Sequence, residues 1–139
     1  MDSQQINAIG DELYTALCEQ RTVAPLTDRF AHISIDDAYH ISSRMLERRL
    51  AAGERVTGKK IGVTSRPVQE MLGVFQPDFG FLTDAMVFKD GADISISKHL
   101  IQPRAEGEIA FRLKADLHGP GVTEADVLAA TESIMPCFE

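Results

Sequence analysis

Apolar positions along the chain change period near residue 55, from three-and-four spacing to alternation. Over the first third, Ile6, Ile9, Leu13, Ala16 and Leu17 recur at helical spacing with polar residues between them. A turn is expected around Val23-Ala24-Pro25-Leu26-Thr27. Ser34, followed by Asp36 and Asp37, reads as an N-cap with acids in the first turn. The helix it opens is expected from Ile35 or Asp36 to Ala52, with Ala38, Ile41, Met45 and Leu46 as its apolar stripe. Gly53 stops it. Both stripes are one-sided, so each helix should lie on the outside of something larger.

From Arg55 the reading is of short strands. Val56 through Thr64 forms one, interrupted by Gly58 and Gly62, and glycine in a strand often marks a bulge or the close approach of a ligand. Ser65-Arg66-Pro67 reads as a cap with proline in the first turn, opening a helix to Leu72 that Gly73 ends. Pro77-Asp78-Phe79-Gly80 reads as a turn. Phe81-Leu82, Met86-Val87-Phe88 and Ile94-Ser95-Ile96 are strand candidates between Asp and Gly turns. Arg104 to Lys114 alternates most cleanly, with Ile109, Phe111 and Leu113 on one face and Glu106, Glu108 and Arg112 on the other. Thr123 caps a helix through Ala130, and a final strand runs from Ile134 to Glu139. That strand stops in mid-pattern, without the polar fraying usual at a terminus, so a truncated chain is expected.

Composition narrows the classes. With 139 residues, 44% hydrophobic and 25% charged, one compact domain is expected. The net charge of -7 argues against nucleic acid and against anionic membrane surfaces. No apolar run is long enough to span a bilayer, and the first residues lack the basic and apolar segments of a signal peptide. Cys18 and Cys137 are too few for a disulfide framework, so a reduced, cytoplasmic setting is the simplest reading. The histidines show no metal-ligand spacing with each other, and no glycine-rich phosphate loop or nucleophile elbow occurs.

Chemistry concentrates in a few side chains. Glu106 and Glu108 stand two apart on a strand, so both carboxylates enter one space. At about 5 Å and an effective dielectric of about 20, two such charges repel by roughly 3 kcal/mol. A divalent cation removes that penalty, and oxygen-only ligands suit Mg²⁺, Mn²⁺ or Ca²⁺ rather than Zn²⁺. Glu139 lies on the same side of its strand as Met135 and Cys137, where an unpaired carboxylate is expensive, and would complete a one-sided metal site. In Lys59-Lys60-Ile61-Gly62, one lysine can present its ammonium to a carboxylate or enolate while its neighbour faces the other way. Each feature also has an ordinary reading: a solvated acidic strand face, surface lysines, and a turn aspartate at Asp78.

Taken in order, three blocks carry a resemblance. They are Gly58-Lys59-Lys60-Ile61-Gly62-Val63-Thr64-Ser65, Gln76-Pro77-Asp78-Phe79-Gly80-Phe81-Leu82-Thr83-Asp84 and Pro103-Arg104-Ala105-Glu106-Gly107-Glu108-Ile109-Ala110-Phe111. Together they resemble the 2-hydroxypenta-2,4-dienoate hydratases, also called 2-oxopent-4-enoate or 2-keto-4-pentenoate hydratases, of the fumarylacetoacetate hydrolase superfamily. The resemblance implies an α+β fold, with an N-terminal helical segment over residues 1–54 and the first part of a mixed β-roll over 55–139. Members of the family are longer, so it also implies that the chain is an N-terminal half. Carried over residue by residue, it makes Glu106, Glu108 and Glu139 the ligands of Mg²⁺ or Mn²⁺, and Lys60 and Asp78 the catalytic groups.

The implied reaction is hydration of 2-hydroxypenta-2,4-dienoate to 4-hydroxy-2-oxopentanoate in meta-cleavage of aromatic compounds. A homo-oligomer is implied with it, leaving room for association with other enzymes of that sequence of reactions. The alternatives are 4-oxalocrotonate decarboxylation on the same site, or a non-enzymatic binding module or inactive fragment. In the resemblance, the acid matched by Asp78 favours hydration over decarboxylation.

Overall fold

Reciprocal caps start the two long helices of the computed structural model, which describes residues 1–139. Helix α1 (Ser3–Cys18) begins where the Asp2 carboxylate accepts from the Gln5 N–H at 2.8 Å and the Gln5 side chain accepts from the Asp2 N–H. Between the long helices, where a turn is expected, Pro25 opens a single helical turn α2 (Leu26–Arg29). Arg29 then reaches back to Glu12 on α1 through paired bonds of 2.8 and 2.7 Å. Helix α3 (Ile35–Ala51) starts as its sequence predicts, with Ser34 and Asp37 capping each other.

Helices α1 and α3 pack together around buried Ile9, Ala16 and Ile41. Gly10 allows the contact, because any side chain there would run into the aliphatic stem of Arg44. The Arg44 guanidinium instead grips Asp11 with bonds of 2.9 and 3.1 Å.

Strand β1 (Val56–Gly62) pairs antiparallel with β2 (Asp78–Thr83). Helix α4 (Arg66–Leu72) lies between them in sequence and ends as expected at Gly73, in the left-handed region at φ 68°. The sheet is tied to α3 at two points. Tyr39 stacks on Phe79 with ring centroids 4.9 Å apart. Glu54, just past α3, accepts from Arg49 at 2.8 Å and from the hydroxyl of fully buried Thr83.

Three local expectations give way here. Strand β1 ends at Gly62 rather than Thr64, because Val63 adopts φ 54°, outside the strand region. Asp78 is not in a turn; it is the first residue of β2, recruited by pairing with Gly62. Neither Met86-Val87-Phe88 nor Ile94-Ser95-Ile96 is a strand. Asp84–Met86 forms a 3-10 turn, and a short helix α5 (Ile96–His99) follows, started by the Ser95 carbonyl accepting from His99 N–H at 3.1 Å. At such short apolar runs, local backbone turns, Val87 N–H to the Asp84 carbonyl at 3.3 Å and His99 N–H to that of Ser95, outweigh strand preference.

The chain divides into two compact units, Met1–Ile101 and Gln102–Glu139, later than the change of period at Arg55. In the second unit, β3 (Gly107–Leu113) pairs antiparallel with β4 (Thr131–Phe138). Helix α6 (Glu124–Ala130) lies between them in sequence and is capped by Thr123 and Asp126. The fold is therefore a mixture of helices with two two-stranded antiparallel sheets. No helix is long and apolar enough to cross a membrane.

One acid carries a pH prediction. Asp37 accepts from the Met1 ammonium at 2.8 Å and from the Ser34 hydroxyl and N–H, and these bonds hold its carboxyl far below the usual range. A carboxyl depressed on folding stabilises the protein above its unfolded value of about 3.9, and that contribution is lost as pH falls toward the folded value. Thermal unfolding followed from pH 6 downward should therefore show an acid limb that flattens in Asp37→Asn. An unchanged limb would remove Asp37 from the acid response.

Candidate functional site

Two clusters of polar side chains stand out, one on each sheet. On β3–β4, Glu106 and Glu108 project from the same face because they are two residues apart. The ladder continues one pair past β4: Glu106 N–H donates to the Glu139 carbonyl at 2.8 Å, and Glu139 N–H to the Glu106 carbonyl at 2.9 Å. Glu139 is thus directly opposite Glu106, and Cys137 is opposite Glu108. Strand periodicity puts all four side chains on one face.

One carboxylate oxygen from each of Glu106, Glu108 and Glu139 lies within 4.8 Å of the others. That spacing approaches the roughly 3 Å that separates neighbouring oxygen ligands of a Mg²⁺-sized ion. The donor set is all carboxylate oxygen, without a nitrogen or sulfur ligand, which fits a hard divalent cation. Glu108 is partly buried, whereas Glu106 and Glu139 are exposed.

On β1–β2, register separates the adjacent lysines. Lys59 is opposite Phe81, and its ammonium lies 5.7 Å from that ring, on the face where Phe79 and Phe81 meet edge to face. Lys60 is opposite Gly80, on the other face, which it shares with Gly58, Gly62, Asp78 and Leu82. The sequence expectation that only one of the two lysines can face a given side of the sheet corresponds to this split. Lys60 is half-buried and Lys59 exposed.

Asp78, opposite Gly62, therefore occupies Lys60's face one step along the ladder. A side chain at Gly62 would strike the Asp78 carboxylate, with Oδ1 the nearest atom. Beyond Gly62, Val63 is a β-branched residue at φ 54°, a conformation that costs about 1–3 kcal/mol and is found where surrounding structure holds it. The Gln69 side chain holds it here, donating to the Val63 carbonyl at 2.9 Å. In the sequence the glycines of β1 mark only a general close approach; the contact between Gly62 and Asp78 depends on the cross-strand register.

No family model matches the chain. Its sequence is 70% identical over 139 residues to a 2-hydroxypent-2,4-dienoate hydratase of Pseudomonas putida, covering 100% of this chain and 63% of that protein. It is 64% identical over 139 residues to a 2-hydroxyhexa-2,4-dienoate hydratase of Comamonas testosteroni, covering 99% and 53%. Among solved structures, it is similar to 4-oxalocrotonate decarboxylase from Pseudomonas putida G7 complexed with magnesium and adipate. That match has a TM-score of 0.94 at 33% identity and covers 100% of this chain and 52% of that one. The same decarboxylase complexed with calcium and acetate matches with the same TM-score. The chain thus spans between about half and two thirds of the length of the relatives it matches.

Proposed function

We propose that the chain belongs to the 2-hydroxypentadienoate hydratases of the fumarylacetoacetate hydrolase superfamily and that the protein is a metal-dependent hydro-lyase, a reading supported by its 70% and 64% identity to hydratases of that kind. Its substrate on this reading is 2-hydroxypenta-2,4-dienoate, and its product 4-hydroxy-2-oxopentanoate. The 70% identity across the whole chain to a hydratase of that name carries the assignment. Glu106, Glu108 and Glu139 would hold a Mg²⁺ or Mn²⁺ ion, a choice supported by their all-oxygen donor set and by the magnesium and calcium complexes of the decarboxylase.

A cation held there would supply Lewis-acid stabilisation of the negative charge that develops on the substrate. The remaining steps fall to side chains. Protonation of the dienol at C5, with loss of the 2-hydroxyl proton, gives 2-oxopent-3-enoate, and Lys60 either carries the proton to C5 or holds the substrate's negative charge. Water then adds at C4, with Asp78 accepting its proton, and C3 is protonated to complete the product. A carboxylate and an ammonium on one sheet face provide both a proton acceptor and a proton donor.

Decarboxylation of 4-oxalocrotonate is the second reading, favoured by the 0.94 TM-score match to that enzyme. The two differ in what leaves the protein. Supplied with Mg²⁺ or Mn²⁺, the enzyme should consume 2-hydroxypenta-2,4-dienoate and release 4-hydroxy-2-oxopentanoate, with chelation stopping the reaction. Faster release of carbon dioxide from 4-oxalocrotonate than hydration of the dienoate would transfer the assignment to the decarboxylase.

An oligomer belongs to the same proposal. Ile109, Phe111, Ile134 and Phe138 lie on the face of β3–β4 opposite the carboxylates, and Phe138 is 87% exposed. An apolar face this open calls for cover, from a second copy or from the part of the relatives' length that the chain does not span.

A further inference from the structure

Lys60, Gly62, Asp78 and Gly80 make one cell of the β1–β2 ladder. Lys60 is opposite Gly80, and Gly62 opposite Asp78. All four positions face the same side of the sheet, with the charged residues on one diagonal and the glycines on the other. The two glycines differ in what surrounds them. A Cβ at Gly80 would meet nothing within 4 Å, whereas a Cβ at Gly62 would collide with Asp78 Oδ1 and stand 3.3 Å from its Cγ. The Asp78 carboxylate therefore lies across the β1 backbone, in the volume a side chain at 62 would fill. Backbone freedom is not the reason for this glycine, since Gly62 is absent from the residues with positive φ. The strand end beneath it is held as well, by Val63 at φ 54° and the bond from Gln69 to the Val63 carbonyl.

We propose that Gly62 is a positioning residue: by leaving that volume empty it seats the Asp78 carboxylate on Lys60's face of the sheet, where the carboxylate handles the proton of the added water. This rests on the reading of Asp78 given under the proposed function. A methyl group at 62 pushes the carboxylate off β1, since the atoms it would strike belong to Asp78. Misplacing a proton-handling group by about 1 Å costs on the order of tenfold to a hundredfold in rate.

The test is a double-mutant cycle in the complete enzyme with Mg²⁺. Gly62→Ala should lower kcat by about tenfold or more while Mg²⁺ affinity stays at the parent value. It should also erase from the pH profile of kcat the same limb that Asp78→Ala erases. In the Asp78→Ala background, Gly62→Ala should add less than about twofold, because the group it displaces is gone. Losses that multiply, or a pH profile untouched by Gly62→Ala, would overturn the proposal. A parallel cycle in urea unfolding does not depend on turnover. There, Gly62→Ala should destabilise the protein only when Asp78 keeps its carboxylate, and equal destabilisation in both backgrounds would also overturn it. If Gly62→Ala alone fails to fold, recovery of folding by Asp78→Ala supports the coupling and continued failure refutes it. A parent enzyme inactive on the dienoate would count against the hydratase reading, while the unfolding cycle still judges the contact.

Discussion

Glu106→Gln should lower metal-dependent turnover by about three orders of magnitude and abolish measurable Mg²⁺ binding at concentrations that saturate the parent. Lewis-acid stabilisation is worth several kcal/mol, and each ~1.4 kcal/mol is a factor of ten in rate. The substitution is nearly isosteric, and Glu106 is fixed by backbone bonds of 2.8 and 2.9 Å to Glu139 that an amide side chain leaves intact. The loss is thus one of charge and ligand strength, not of strand pairing. Glu132 provides the control, since it is an acid of the same sheet bonded to Arg112 at 2.9 Å and outside the carboxylate set. Glu132→Gln should leave Mg²⁺ affinity and kcat near the parent values. Calorimetric titration and steady-state rates together decide it, and Glu106→Gln retaining both would remove the carboxylate set as the metal centre.

What could be read from the chain alone divides along physical lines. Caps are local, and Ser34 with Asp37, Thr123 with Asp126 and Gly73 at the end of α4 all act where their spacing predicts. The carboxylate set was legible for a related reason: strand periodicity alone places Glu106 beside Glu108, and Glu139 with Cys137. Only the pairing of β3 with β4 was needed to bring those faces together.

Asp78 was the harder case. Pro77 before it and Gly80 after it make a good turn locally, yet partnership with Gly62 across the sheet draws it into β2. Tertiary pairing overrode turn chemistry there, whereas at residues 94–96 no partner strand exists and Ser95 starts a helix instead. Val63 shows the same limit. Nothing in its β-branched side chain announces a φ of 54°, which depends on Gln69 six residues on.

Lys60→Met should reduce kcat by about a hundredfold to ten-thousandfold, the range typical of a lost proton-transfer group, while Lys59→Met leaves kcat within about twofold of the parent. The two residues are neighbours of identical type, so composition, net charge and local strand propensity change equally in both variants. What differs is the sheet face each occupies and its burial. Lys59 is opposite Phe81 and lies 5.7 Å from its ring, a contact worth about 0.5–1 kcal/mol to stability at an exposed position. Lys60 shares its face with Gly62, Gly80 and Asp78. Mg²⁺ binding should persist in both variants, because the proposed carboxylate set lies on β3–β4 and includes neither lysine. The contrast therefore separates a chemical role from general electrostatic attraction of an anionic substrate, which would penalise both lysines alike and fall with rising salt. Equal losses at the two positions would leave Lys60 without its assigned part in the reaction. A large loss at Lys59 alone would move the reactive face of β1–β2 to its aromatic side.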